Sequence, residues 1–333
     1  MIRALNVEHE AIFFAGRIGK RFMMRENADA VFHEPVLLRE TVELLAPAPG
    51  KLFVDGTLGG GGHSKALVDA GATVVGLDQD PDALDFARKR IGAAGGRFQA
   101  VHANFSDLNA VLDRLGIGQI DGGLLDIGVS SWQIDSAARG FSFMKNGPLD
   151  MRMNPDAQTT AADLVNHAGA EQLEGVFRKF GEEPAARRIA AMIVRERVAK
   201  PFLTTFDLAQ AVERTVPRHS KTHPATRVFQ ALRIAVNREL EVLEKALEQF
   251  GARLKPGARL GVITFHSLED RIVKTFFKTR SAEWIDRPEW PAPRANPQRI
   301  FKLVKTKPVV AGEEEQRRNP RSRSAKLRIV EKL

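Results

Sequence analysis

The 333-residue chain contains no cysteine. Disulfides, thiolate zinc sites, iron–sulfur clusters and cysteine nucleophiles are therefore excluded. The chain also lacks any apolar run of about 18 residues, the length a bilayer-spanning helix needs. Its basic N-terminus has no sustained apolar stretch leading to a small-residue cleavage site, so it does not read as a signal peptide. A cytoplasmic protein with no membrane partner is the expectation. No internal repeat is present. Hydrophobic residues make up 43% of the chain and charged residues 27%, which excludes wholesale disorder. Positive charge is what stands in excess, with a net of +9 at neutral pH. Residues 287–333 alone hold thirteen Lys and Arg against five Asp and Glu, a net of +8. A basic segment of this kind attracts polyanions, nucleic acid first.

Residues 1–32 show little periodicity and read as a loosely ordered extension. Beyond them, strand and helix signals alternate. Leu52–Val54, Ala72–Leu77, Arg97–Ala103 and Ile120–Ile127 read as buried strands. Helices are expected between them, with Pro81 in the first turn of one. This alternation defines a parallel sheet with right-handed crossovers. It stops near Ser130. The next hundred residues hold a loop rich in glycine and methionine, then helical stretches over 161–180 and 183–198. Apolar residues recurring every three to four positions predict one long helix over 225–250. A fifth strand follows at Leu260–Phe265, and two more candidates at Ile300–Lys305 and Lys326–Val330. The economical reading is one α/β domain in two parts, 33–130 and 236–333, interrupted by a helical insertion over 131–235 that serves substrate recognition.

The segment Asp55-Gly-Thr-Leu-Gly-Gly-Gly-Gly-His63-Ser64 follows the first strand and opens a helix, the context of a nucleotide-cofactor loop. Asp78 ends the next strand, where a carboxylate accepts hydrogen bonds from ribose hydroxyls. Asp126 ends the fourth strand. The dinucleotide fingerprint G-x-G-x-x-G fits imperfectly, because Ser64 stands where its third glycine belongs. An acidic-x-G-x-G-x-G loop, typical of S-adenosylmethionine (SAM) sites, fits better, with Thr57 in place of the first glycine. The carboxylates Asp55 and Asp126 suit a ligand that carries a sulfonium. Five parallel strands with an antiparallel pair at one edge are the layout of a class I SAM-dependent methyltransferase, a Rossmann-like, mostly parallel seven-stranded sheet.

Seven segments together go further: His33-Glu-Pro-Val-Leu-Leu38, Asp55–Ser64, Leu125-Asp-Ile-Gly-Val-Ser-Ser131, Arg139-Gly-Phe-Ser-Phe143, Gly147-Pro-Leu-Asp-Met-Arg-Met153, His223-Pro-Ala-Thr-Arg227 and Phe265-His-Ser-Leu-Glu-Asp-Arg271. In order and spacing, from His33 to Val330, the chain resembles the bacterial 16S rRNA cytosine-N4 methyltransferases, the RsmH (formerly MraW) family. The resemblance implies a SAM-dependent enzyme that methylates the N4 amine of cytosine 1402 in the decoding region of 16S rRNA within the small ribosomal subunit. It implies cofactor contacts from Gly61, Gly62, His63, Asp78, Phe105, Asp126 and Gln133. Trp132 departs from the family pattern, which usually has proline there. The sequence leaves a homodimer open.

The residues set their own limits on the chemistry. Methylation of a pyrimidine at carbon 5 normally needs a cysteine that adds to carbon 6, and this chain has none. An exocyclic amine remains open as the acceptor. Its lone pair is conjugated with the ring, so a site must align it and accept its hydrogens. Asp126 is the first candidate acceptor, by position. Ser130 and Ser131 are candidates for the base, or caps of the next helix. His266 stands at the same sheet edge after the fifth strand, and Glu269 and Arg271 read as an ion pair on the helix beyond. Phe141, Phe143, Met144, Met151 and Met153 could stack on an extruded base or pack the insertion. Asp150 and Arg152 are further contact candidates. No metal spacing is apparent. Two other readings stay open: an NAD(P)-dependent oxidoreductase, and a non-catalytic RNA-binding assembly factor with a methyltransferase fold.

Overall fold

A computed structural model describes residues 35–92, 94–216 and 223–333. The expected extension over 1–32, and the His33-Glu34 pair of the first motif, lie outside the described residues. Seven strands form the central sheet: β1 Leu52–Asp55, β2 Thr73–Asp78, β3 Phe98–His102, β4 Ile120–Asp126, β5 Leu254–Thr264, β6 Phe301–Leu303 and β7 Lys326–Lys332. Their order is β3-β2-β1-β4-β5-β7-β6. The first five pair in parallel, and β7 lies antiparallel between β5 and β6. This is the class I methyltransferase order. The parallel strands read as continuous apolar runs because both faces of the sheet are covered. Gly122 and Gly123 keep β4 thin on both sides. A Cβ on Gly122 would stand 2.1 Å from the Phe53 ring, and one on Gly123 would stand 2.6 Å from the Phe250 ring.

The sequence direction reverses between β1 and β4. A crevice opens at the carboxyl ends of strands at such a switch point. Register brings Asp55 beside Leu124, and Asp126 beside Ile263. Asp78 closes β2 at the same edge.

Helices α1 Leu38–Leu45, α2 Gly62–Asp69, α3 Pro81–Ile91 and α4 Leu108–Arg114 flank the first half of the sheet. Asp80 caps α3 by accepting from the Asp82 amide at 3.1 Å. After β4 come the short helix α5 Ser131–Asp135 and then α6 Ala161–His167, α7 Ala170–Gly181, α8 Ala186–Glu196, α9 Thr205–Thr215 and α10 Ala225–Asn237. The stretch expected as one helix over 161–180 is two. Ala168 is extended and Gly169 starts a new N-terminus. Helix α9 escaped the sequence reading, although Thr204 and Asp207 form a capping box at its head. These helices bury their own core, including Phe177, Ile189, Ile193, Leu208 and Leu232.

The long helix expected over 225–250 is broken. Helix α10 ends at Asn237, Arg238 takes a left-handed backbone with φ of 50°, and α11 runs Glu239–Arg253. The Asn237 side chain explains the stop. Its Nδ2 donates to the Met151 carbonyl and its Oδ1 accepts from the Met153 amide, both at 2.8 Å. Helix α10 belongs to the insertion core. Helix α11 and the following α12, Ser267–Ser281, belong to the sheet core through Leu247, Phe250 and Phe277. Among the described residues no helix is long and apolar enough to cross a membrane.

The basic C-terminal segment is partly structural. Lys326 and Arg328 of β7 both pair with Asp270, Lys302 pairs with Glu331, and Arg321 with Asp135. Lys305, Lys307, Arg317 and Arg323 remain exposed.

Candidate active site

Strand β1 feeds the glycine loop directly. Asp55 is fully buried. Its Oδ1 accepts from the Thr57 amide at 3.1 Å and its Oδ2 from the Ser64 hydroxyl at 2.7 Å. Both oxygens thus hold the loop. Asp55, read as a partner for a cationic ligand, is engaged within the protein on both oxygens and clamps the turn. Thr57 ties the loop to β4, its hydroxyl accepting from the Asp126 amide at 2.6 Å.

The glycines divide by role. Gly59 donates its amide to Asp78 Oδ2 at 2.8 Å, and a Cβ there would meet nothing closer than 3.9 Å. A ligand can lie against the main chain at that point. At Gly61, φ is 70° and a Cβ would stand 3.0 Å from Ala87 of α3; at Gly62 it would stand 2.7 Å from Pro35. The missing side chains of Gly61 and Gly62 therefore serve packing within the protein. Phe105, just after β3, is half-buried against Gly56, where a Cβ would come within 3.0 Å of it.

Asp78 accepts one amide on each oxygen, from Gly59 and from Asp80 at 2.9 Å, and keeps lone pairs for hydroxyl donors. Burial pushes its pKa up to about 6. His63 is buried, with Nε2 3.0 Å from the Val36 carbonyl and Nδ1 3.6 Å from Asp126 Oδ2. Asp126 Oδ1 is buried with no hydrogen-bond partner. Burial first, then the charges of Asp55 and Glu269, raises the Asp126 pKa to about 8. An unsatisfied carboxylate oxygen beside a cofactor loop, at a switch point, is the feature a cationic or amine-bearing ligand answers.

Ser130 is the N-cap of α5. Its hydroxyl accepts from the Gln133 amide at 3.2 Å, and Gln133 Oε1 accepts from the Ser130 amide at 3.0 Å. The serine proposed for the base therefore holds a helix end, and Ser131 opens the same helix. Gln133 is buried and donates to Asp80 Oδ2 at 3.1 Å, an oxygen that also receives Arg139 at 2.6 Å. Arg139 continues to the Arg152 and Met153 carbonyls at 3.0 and 2.9 Å. Asp80 and Arg139 thereby connect the cofactor strand β2 to the loop after β4.

In that loop Phe141, Met151 and Met153 lie in the insertion core, while Phe143 packs on His223 and Phe229 with ring centroids 4.6 and 5.0 Å apart. Met144 stays exposed. Arg152 grips Asp150 with two bonds, at 2.8 and 2.7 Å, so this pair shapes the loop.

His266 caps α12, with Nδ1 3.4 Å from the Glu269 amide. Glu269 does not pair with Arg271, which reaches Glu182. Instead Glu269 is wholly buried, and its Oε2 accepts from the Phe265 and His266 amides at 2.9 and 3.2 Å. Glu239, at the head of α11, is buried and receives two 2.8 Å bonds from Arg233.

Fold and site together define a class I SAM-dependent methyltransferase with a helical insertion after the fourth strand. A sequence profile of the MraW methylase family matches residues 30–333. The chain is 49% identical over 312 residues to ribosomal RNA small subunit methyltransferase H of Magnetococcus marinus, covering 90% of this chain and 98% of that one. It is 53% identical over 300 residues to the protein of the same name from Rhizobium meliloti, covering 90% and 86%. The chain belongs to the MraW methylase family. An rRNA methylase of known structure from Streptococcus thermophilus aligns over 91% of this chain and 99% of its own, at 11% identity and a TM-score of 0.42. Membership of a methylase family sets aside the oxidoreductase reading.

Two expectations follow for cofactor binding. Asp78→Ala removes a charged acceptor of hydroxyl hydrogen bonds, each worth about 1.5–3 kcal/mol. SAM affinity should fall tenfold or more in a protein that still folds; unchanged affinity by calorimetry would refute the ribose assignment. The raised pKa values of Asp78 and Asp126 give the second. A cationic ligand favours the ionised carboxylates, so binding releases protons wherever those groups start protonated. Affinity should therefore rise with pH between about 5.5 and 7, up to tenfold per pH unit for each proton released. The ligand's own amine stays charged over that range. Calorimetry in buffers of different ionisation enthalpy reads the released protons; pH-independent affinity with no proton release would show that neither carboxylate meets the ligand.

Proposed function

We propose that this protein transfers a methyl group from SAM to the N4 amine of a cytosine in the decoding region of 16S rRNA, acting on the small ribosomal subunit. The observation that carries the reading is the buried, unpartnered Oδ1 of Asp126 at the end of β4, beside the glycine loop. Asp78, the Gly59 backbone, His63 and Asp126 are the residues that would hold the cofactor, with Phe105 beside them. Bound SAM supplies an electrophilic methyl on a sulfonium.

The protein's task is then alignment and proton management. Asp126 accepts a hydrogen from the amine, which favours a pyramidal nitrogen with its lone pair free. Burial raises the Asp126 pKa to about 8 without a ligand, and the bound cation would favour the ionised form, the one able to take the proton that becomes acidic as the bond forms. The absence of cysteine supports nitrogen over carbon 5 as the methylated atom. The names of the relatives support small-subunit rRNA as the substrate. The insertion, residues 131–235, would recognise that substrate, and the exposed cations of the C-terminal segment would contact its phosphates.

The test is methyl transfer from labelled SAM to small subunits lacking the modification, with mass mapping of the methylated nucleotide. Label on the N4 of a decoding-region cytosine is the expected result. Label elsewhere refutes the position, and binding without transfer would mark an assembly factor. The electrostatic part has its own test. Changing Lys305, Lys307, Arg317 and Arg323 to Gln should weaken subunit binding and reduce its salt slope by about 0.7–0.9 for each phosphate no longer neutralised. SAM affinity should be spared. An unaltered slope would show these cations to be plain solvated surface.

A further inference from the structure

We propose that Glu239, His266 and Glu269 form a binding site for one divalent cation of the zinc, cobalt and manganese type, at the heads of α11 and α12. The three side chains place one potential ligand atom each within 4.8 Å of the others. They come from the heads of α11 and α12, so the fold brings together what the sequence separates.

A cluster of acids alone would prove nothing, but the hydrogen bonding adds an independent observation. Glu269 is wholly buried, and its Oε1 has no hydrogen-bond partner. His266 Nε2 stands 2.9 Å from that oxygen, yet the pair does not meet hydrogen-bond geometry, and Nε2 is also buried and unsatisfied. Around an octahedral ion, with ligands at about 2.1 Å, neighbouring ligand atoms stand about 3 Å apart. The 2.9 Å separation, which an ion pair also has, is that of two adjacent ligands on one octahedral ion.

Charge points the same way. The Arg233 guanidinium is committed to Glu239 by two 2.8 Å bonds and reaches Glu269 only through its field. Glu239, doubly bonded, still has lone pairs to offer. The Glu269 carboxylate faces imidazole, Glu239 and, at the crevice, Asp126. A cation there would satisfy both orphan atoms and offset the second buried carboxylate. One imidazole with two carboxylates suits borderline divalent ions better than soft ones.

The experiment uses the untagged full-length chain, stripped with chelator and titrated with Zn²⁺ alone by calorimetry and with Co²⁺ alone by visible absorption. One equivalent per chain is expected, with cobalt d–d bands that report ligation and a melting temperature that rises with Zn²⁺ concentration. Glu269→Gln keeps an oxygen for the capping amides, and His266→Asn keeps a strong N-cap. Each should weaken Zn²⁺ binding at least about tenfold, the scale on which single ligands and their supports act. A parent chain that binds no stoichiometric ion overturns the proposal and leaves a distorted His–Glu ion pair. Binding retained at parent affinity in both variants overturns it equally, by placing the ion at surface groups.

Discussion

Asp126→Asn is expected to slow methyl transfer by ~10²–10³ at saturating SAM, the usual effect of removing one preorganised electrostatic interaction. Small-subunit binding should barely change. The substitution preserves size and one acceptor oxygen, and the backbone amide still reaches the Thr57 hydroxyl. It removes the charge of a group that ends β4 with a buried, unpartnered Oδ1. On the proposed reading, subunit affinity comes from phosphate contacts elsewhere and is insulated from this change. Single-turnover methylation, run beside a binding assay, separates the outcomes. A parent rate would make Asp126 structural. Full recovery as SAM is raised would confine it to cofactor binding and leave the amine's partner to be sought elsewhere, Ser130 and His266 both being helix caps.

The parts of the fold that read correctly are those whose signal is local. The first four strands are apolar runs ended by turn residues, and each observed strand lies within a residue or two of its expected span. Pro81 marked α3 because proline fits a first turn. The break at Arg238 was illegible. The apolar rhythm continues unbroken across it, while its cause, Asn237 bonding to Met151 and Met153, lies more than eighty residues away in sequence. The same distinction runs through the site. Asp78 and Asp126 were visible because each ends a strand at the carboxyl edge of a parallel sheet. Asp55 was visible, but nothing local shows that a carboxylate clamps its own loop. Asp80 and Glu239 went unseen. Each resembles an ordinary acid at a helix start, and only the third dimension supplies Arg139 and Arg233. Arg139 stood within a recognised motif, but the motif does not say what it holds.

That hub should show the largest effect on stability. Arg139→Met is expected to destabilise the protein by about 3–5 kcal/mol, because it strands a buried carboxylate. Asp80 is almost wholly buried, and Arg139 brings its guanidinium to 2.6 Å from Oδ2 with little exposure of its own. The methionine would still fill the space beside Trp132 and Phe141, over whose rings the guanidinium now lies at 5.3 and 6.0 Å. Poorer packing is therefore the smaller part of the effect. Removing the charge on the other side as well should rescue stability: Asp80→Asn with Arg139→Met should lose less than the two single changes summed, a coupling of about 1 kcal/mol or more. Urea denaturation measures all three. A single variant within about 1 kcal/mol of the parent would mean that the pair is solvated and the hub does not exist. SAM affinity supplies the functional arm. Because the Asp80 amide holds Asp78 Oδ1, and Arg139 ties Asp80 to the loop after β4, loosening the hub should weaken the cofactor at a site that Arg139 does not itself touch. Weakened SAM binding in Arg139→Met that returns toward the parent value in the double variant would show the cofactor strand and that loop moving as one unit.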